Sequence, residues 1–223
     1  MREELTTLMG GVKRMLNAAA DLILLNVLLI VGCIPVVTAG AAGVACYAYL
    51  MRIVRGLNPT SPIRPFWTDF RKAFRVATPA WLLVLLCFVI LAGDYYFAVY
   101  VSTPPNRFFL VFAIAMAVGL VFAVTWLFPL IARYENTLRG HIRNAFLMAA
   151  AKLPKTLAAV AVQLLFYVVP LFVPQLLLYL GWLWLLCGLS LPMYITVSLF
   201  RKELDCIPMP LEAEDTPNTQ NRP

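Results

Sequence analysis

Charged side chains are scarce in this chain: they make up 13% of its 223 residues, while 62% are hydrophobic. A soluble domain is about 25% charged and about 45–50% apolar, and it needs a polar shell to face water. Eleven acidic and eighteen basic residues cannot furnish that shell around so much Leu, Val, Ala and Phe. The shortage excludes an ordinary water-soluble globule and implies lipid as a second solvent.

Histidine is nearly absent. The single one, His141, lies between Arg139 and Arg143. A lone imidazole supplies neither a His-rich metal site nor a Ser-His-Asp triad, and it reads as structural. No Gly-rich loop ending in Gly-Lys-Ser/Thr occurs, so the chain does not itself spend ATP. The five cysteines show no paired spacing. Cys33, Cys46, Cys87 and Cys187 sit in apolar runs and Cys206 in the tail, giving no disulfide framework and no zinc pattern. No enzyme signature is present and no cofactor is implied, so the chain is expected to be non-enzymatic.

What is present is a series of apolar runs separated by basic connectors. The first run extends from about Met15 to Val37 and the second from Thr38 to Val54. About 20 helical residues match a hydrocarbon core of about 30 Å. The second run is short for a full crossing, and a re-entrant hairpin is the alternative. Pro35 and Gly40 supply turn chemistry between the two runs. Ala39 with Gly43, and Ala41 with Ala45, would allow close approach of a neighbouring helix. Further runs span Thr78–Tyr100, Phe108–Ala132, Thr156–Val173 and Gln175–Phe200. The predicted fold class is therefore all-α: a bundle of about six membrane helices.

Two connectors carry amphipathic patterns. Phe66, Trp67, Phe70 and Phe74 alternate with Asp69, Arg71, Lys72 and Arg75, as in a helix lying in the membrane interface. A second such helix is expected over Leu138–Leu153, with Arg139 and Arg143. If every run crosses, the connectors near Val37, Pro104–Pro105 and Pro174 share one side. Of the eighteen Lys and Arg residues only Arg107 lies there. Such a bias places the basic side, and both termini, in the cytoplasm. Ala39-Gly40-Ala41 resembles a signal-peptide cleavage site, but the apolar region before it is too long for that role. Residues 1–204 are expected to form one polytopic membrane domain, and 205–223 a disordered cytoplasmic tail. The net charge of +7 is distributed as membrane anchors, so the expected partner is membrane lipid and not nucleic acid.

Polar residues inside apolar runs are the default functional candidates. Asp21 and Asn26 lie in the first run, Asp94 near the outer end of the third, and Thr125 and Gln163 deeper in later runs. Asp21 would suit proton or cation handling, and the blander alternative is an ion pair with Lys13 or Arg14. Asp94, beside Tyr95 and Tyr96, would contact an external ligand or simply rest hydrated at the interface. Isolated amides and hydroxyls at depth bond neighbouring helices. Arg71, Lys72, Arg75, Arg139 and Arg143 are the interfacial cations that would meet anionic lipid. Arg71-Lys-Ala-Phe74 and Arg143-Asn-Ala-Phe146 hint at internal repetition, although amphipathic composition alone also produces such matches.

An ordered set of short strings adds a resemblance. They are Leu25-Asn26, Ile34-Pro-Val-Val-Thr38-Ala-Gly40, Phe66-Trp67 with Phe70-Arg-Lys-Ala-Phe74, and Phe128-Pro129 through Arg133-Tyr134. Arg143-Asn-Ala-Phe146, Leu153-Pro154-Lys-Thr156 and Leu191-Pro192-Met-Tyr194 follow. Together they resemble the YesL-like family, a domain of unknown function (number 624), over about Leu16 to Leu204. The resemblance implies a multi-spanning bacterial plasma-membrane protein, typically of Gram-positive lineages. Its genes often stand beside those of sugar-uptake ABC transporters and glycoside hydrolases. An accessory role in carbohydrate uptake, with a sugar ABC transporter permease as partner, is thereby implied. The family brings no catalytic residues. The alternative function is an autonomous secondary transporter or channel for a small solute.

Overall fold

The computed structural model describes residues 2–57, 61–101, 107–172 and 174–206, and among these there is no strand. Helix α1 (Arg2–Cys33) leads through one 3-10 turn (Val36–Thr38) into α2 (Ala39–Val54). Helix α3 (Ile63–Tyr96) ends in a π-helical turn (Phe97–Val101), and α4 (Arg107–Arg133) follows. The chain continues through α5 (Leu138–Ala151) and α6 (Leu153–Gln163), then a second π-helical turn (Leu164–Val168) and α7 (Val169–Phe172). Helices α8 (Pro174–Cys187) and α9 (Ser190–Cys206) complete it. The all-α bundle agrees with the sequence expectation.

Pro35 explains the end of α1, because it has no N–H and holds the residue before it out of the helical region. The free carbonyls there find partners. The Thr38 hydroxyl lies 2.7 Å from the Gly32 carbonyl and 2.8 Å from that of Pro35, and the Trp81 indole N–H donates to the Val36 carbonyl at 2.7 Å. Gly40, expected as a turn residue, is instead in the first turn of α2. Its missing side chain lets α3 close in: a Cβ there would stand 2.5 Å from the Trp81 Cβ and 2.7 Å from the Ala77 carbonyl. Gly43, expected to line a close contact, faces open space.

Helix α2 is the centre of the bundle, packed by α1, α3, α4 and α9. Ala41, Ala42, Ala45, Cys46, Tyr49 and Leu50 are fully buried along it. From α9, Met193, Val197, Phe200 and Leu204 point into the same core at helical spacing. The outer faces are the reverse of a soluble protein's. Leu86, Val89 and Ile90 of α3 and Val111, Phe112 and Ile114 of α4 are more than half exposed. A continuous apolar exterior of that kind is stable only against lipid. This is a helical membrane protein.

Three details depart from the sequence expectation. The first amphipathic segment is not a separate interfacial helix but the beginning of α3, whose 34 residues rise about 51 Å at 1.5 Å each. Phe66 is buried in the core rather than turned to lipid. Among the described residues, four stretches are long and apolar enough to cross: Leu16–Cys33, Val36–Val54, Ile63–Tyr100 and Phe108–Arg133. Leu138–Ala151 with Leu153–Val168, bent by 102°, would make a fifth, against the six expected. The last expected run is divided at Gly188–Leu189, so α8 and α9 are 14 and 17 residues long. Helix α9 itself runs two residues beyond position 204. The rest of the tail, 207–223, lies outside the described residues.

Candidate functional site

Three helix-to-helix brackets engage polar residues of the interior. The first is Asn26, which is fully buried in α1. Its Oδ1 accepts the backbone N–H groups of Leu189 and Ser190 at 3.0 Å, and its Nδ2 donates to the Leu185 carbonyl at 2.5 Å. The Ser190 hydroxyl returns a bond to the Leu22 carbonyl at 2.9 Å. A break between two helices leaves orphan donors and acceptors, and one carboxamide here serves both ends of it. In lipid those groups have no water to turn to.

The second bracket joins α1 to α2. The Tyr49 hydroxyl donates to Asp21 Oδ2 at 3.3 Å, with Tyr49 wholly buried and Asp21 partly so. The side chains of Lys13 and Arg14, the partners expected for Asp21, lie outside the described residues. The third joins α4 to α6. The Thr125 hydroxyl bonds back to the Val121 carbonyl at 2.9 Å and lies 3.3 Å from Gln163 Oε1. One residue on, the Trp126 indole donates to the Thr156 hydroxyl at 2.9 Å and its ring stacks on Phe200. Pro170, lacking an N–H, leaves the Phe166 carbonyl free, and the Trp184 indole takes it at 3.0 Å.

Charged residues gather at one end, where the C-termini of α2, α4 and α9 meet the N-termini of α3 and α6. Arg52 grips Asp69, with NH2 3.0 Å from Oδ1 and NH1 2.8 Å from Oδ2. Lys155 donates to Glu203 at 2.5 Å and Lys152 lies 3.9 Å away. Burial pushes the Glu203 carboxyl up, but the Lys155 hydrogen bond, the backbone and the two ammonium charges outweigh it, and it sits below the usual carboxylate range. Asp205 collects Arg55 at 2.5 Å, and Arg133 and Arg201 at 4.0 Å each. The Tyr134 hydroxyl donates to the Leu204 carbonyl at 2.6 Å, and burial pushes that phenol up.

The structure thus brings Asn26, Asp21 and Gln163 into brackets between helices but does not bring them together. Asp94 is exposed near the far end of α3, next to Tyr95 and Tyr96. Arg71, Lys72, Arg75, Arg139 and Arg143 are exposed and form no ion pair among the described residues. His141 faces the core with Ala145 and Ala149. Among the described residues no group of three or more His, Cys, Asp or Glu converges as a metal site would. Ser190, Thr156, Glu203 and Asp205 escaped sequence reasoning. Only Asp205 left a local signal, its spacing of four from Arg201.

An all-α membrane bundle with Asn26, Asp21 and Gln163 engaged between helices is the class that fold and site define. Residues 22–95 match the family model described as protein of unknown function, DUF624. That segment holds Asn26, the Pro35–Gly40 turn and most of α3, and it agrees with the YesL-like resemblance. No curated protein and no solved structure matches the chain.

Proposed function

We propose that the chain is a non-enzymatic component of the bacterial plasma membrane that assists carbohydrate uptake, as accessory or assembly partner of a sugar permease. The observation that carries the non-enzymatic part is the state of the interior polar groups. Asn26, Asp21, Thr125 and Gln163 are each engaged with another helix, and they serve cohesion rather than a reacting centre. The carbohydrate part rests on the family resemblance. The basic end faces the cytoplasm in this reading, because cations are retained on that side.

Crosslinking with mass spectrometry in native membranes tests it. A sugar permease recovered in crosslinks supports the reading, and recovery of the chain alone, under conditions that keep other complexes whole, opposes it. For orientation, an impermeant maleimide on intact cells should leave Cys206 unlabelled.

A second reading, an autonomous secondary carrier or channel, draws on the divided helix at Gly188–Leu189. Broken helices line the substrate sites of many carriers. Here, however, Asn26 and Ser190 occupy the termini that would otherwise meet a solute. Solute flux in reconstituted vesicles that is abolished by Asp21→Asn would favour this reading over the first.

A further inference from the structure

Three guanidinium groups share one carboxylate at the charged end of the bundle. Arg55 follows α2, Arg133 closes α4, and Arg201 and Asp205 lie one turn apart on α9. Only Arg55 is within hydrogen-bond distance of Asp205; Arg133 NH2 and Arg201 Nε both stand off at 4.0 Å. The Arg133 side chain is 13% exposed. Its Nε is buried and has no hydrogen-bond acceptor among the described residues. A donor enclosed without an acceptor is costly, the more so when charged.

Among the described residues local charge does not balance either. The C-termini of α2, α4 and α9 each add about half a negative charge, so three cations against one carboxylate still leave an excess of about half a positive charge. Arg55, Arg201 and Asp205 line a small pocket of about 10 Å³ together with Met51, Val54, Val197 and Leu204, and Arg133 adjoins it through Asp205. That volume holds no more than a water, so a ligand head must rest on the rim. A tetrahedral anion with several acceptor oxygens fits this rim, because guanidinium forks match phosphate geometry.

We propose that Arg55, Arg133 and Arg201 around Asp205 form a binding site for a phosphate group, carried by an anionic phospholipid headgroup or present as free phosphate. The site is separate from the exposed cations of α3 and α5, and it does not depend on the carbohydrate reading. Asp205 competes with the ligand for the same guanidinium groups. Removing its charge therefore tightens binding, whereas a simple structural latch would loosen.

The test uses the full chain in nanodiscs of phosphatidylcholine with a minor share of phosphatidylglycerol. Native mass spectrometry reads the retained phosphatidylglycerol. In discs of phosphatidylcholine alone, Tm is measured with inorganic phosphate against chloride at matched ionic strength. One charge near a membrane surface changes anion binding about fivefold. Arg133→Gln should reduce retention by about that factor and Asp205→Asn should raise it similarly. Arg201→Gln, at a half-exposed side chain, provides the reducing variant should Arg133→Gln not fold. Lipid retention without a phosphate effect on Tm assigns the headgroup, and a phosphate effect without lipid retention assigns free phosphate. Retention that ignores these substitutions, with no phosphate-dependent shift, overturns the proposal, as does retention that falls in Asp205→Asn.

Discussion

Asn26 and Ser190 are 164 residues apart in sequence, yet the Asn26 Oδ1 accepts the Ser190 backbone N–H at 3.0 Å. The contact fixes α1 against the hinge between α8 and α9, and the same carboxamide serves the carbonyl on the other side of the hinge. A helix break inside an apolar bundle is tolerated only where its backbone groups are satisfied. Asn26 makes this break permissible.

Asn26→Leu should therefore cost about 2–4 kcal/mol, because it strands the Leu189 and Ser190 N–H groups and the Leu185 carbonyl. Asn26→Asp keeps two acceptors but loses the donor. It also adds a charge worth about 2.5–3.5 kcal/mol at the centre of a span, so it should be no better tolerated. Unfolding in detergent micelles measures both. A loss below 0.5 kcal/mol in the Leu variant would contradict the bracket.

The two glycines of α2 should behave in opposite ways. Gly40→Ala places its Cβ 2.5 Å from the Trp81 Cβ, and forcing α2 from α3 should cost about 1–3 kcal/mol. Gly43 meets nothing within 4 Å, so Gly43→Ala should be neutral or stabilising by up to about 1 kcal/mol. Equal effects from the two substitutions would show that α2 and α3 do not approach at Gly40.

The early spans were legible because hydropathy and Pro35 are local signals, and the charged end was legible from where the cations cluster. The divided last helix was not. Gly188 stands within an unbroken apolar run, and the groups that make its break stable come from α1. The Asn26 bracket and the Asp205 cluster unite residues from distant helices, which no periodicity reveals. The amphipathic spacing around Phe66 points to the membrane interface. The structure buries Phe66 and half-buries Phe70 against protein, while Trp67 and Phe74 stay exposed along with Arg71, Lys72 and Arg75.

Acid should weaken the contact between α6 and α9. The folded-state pKa of Glu203 lies below its ordinary value of 4.5, so the stability it contributes is complete above that value. It is lost as pH falls through the lower, folded-state pKa. Lys155→Met removes the main partner and leaves a carboxylate that is 9% exposed. The variant should be less stable than wild type near neutral pH, and the gap should narrow on acidification. Unfolding measured between about pH 7 and pH 3 reads this directly, and a gap that widens towards acid would refute the assignment.

Trp126 supplies the last prediction, because its two interactions can be separated. Its ring lies 3.7 Å from that of Phe200 at an interplanar angle of 8°, and its indole N–H reaches Thr156 at 2.9 Å. Thr156 in turn lies 3.0 Å from the Lys152 carbonyl at the bend between α5 and α6. Trp126→Phe keeps an aromatic surface on Phe200 but gives up the hydrogen bond, and should cost about 1–2 kcal/mol. Trp126→Ala also empties the fully buried ring site, and should cost about 3–5 kcal/mol. Thr156→Val leaves the indole N–H buried without its acceptor, so its cost should approach that of Trp126→Phe. Combining Thr156→Val with Trp126→Phe should then cost less than the sum of the two, because both remove one bond. Strict additivity in that double-mutant cycle would mean that the indole and the hydroxyl do not interact, and the link from α4 to the α5–α6 bend would fall with it.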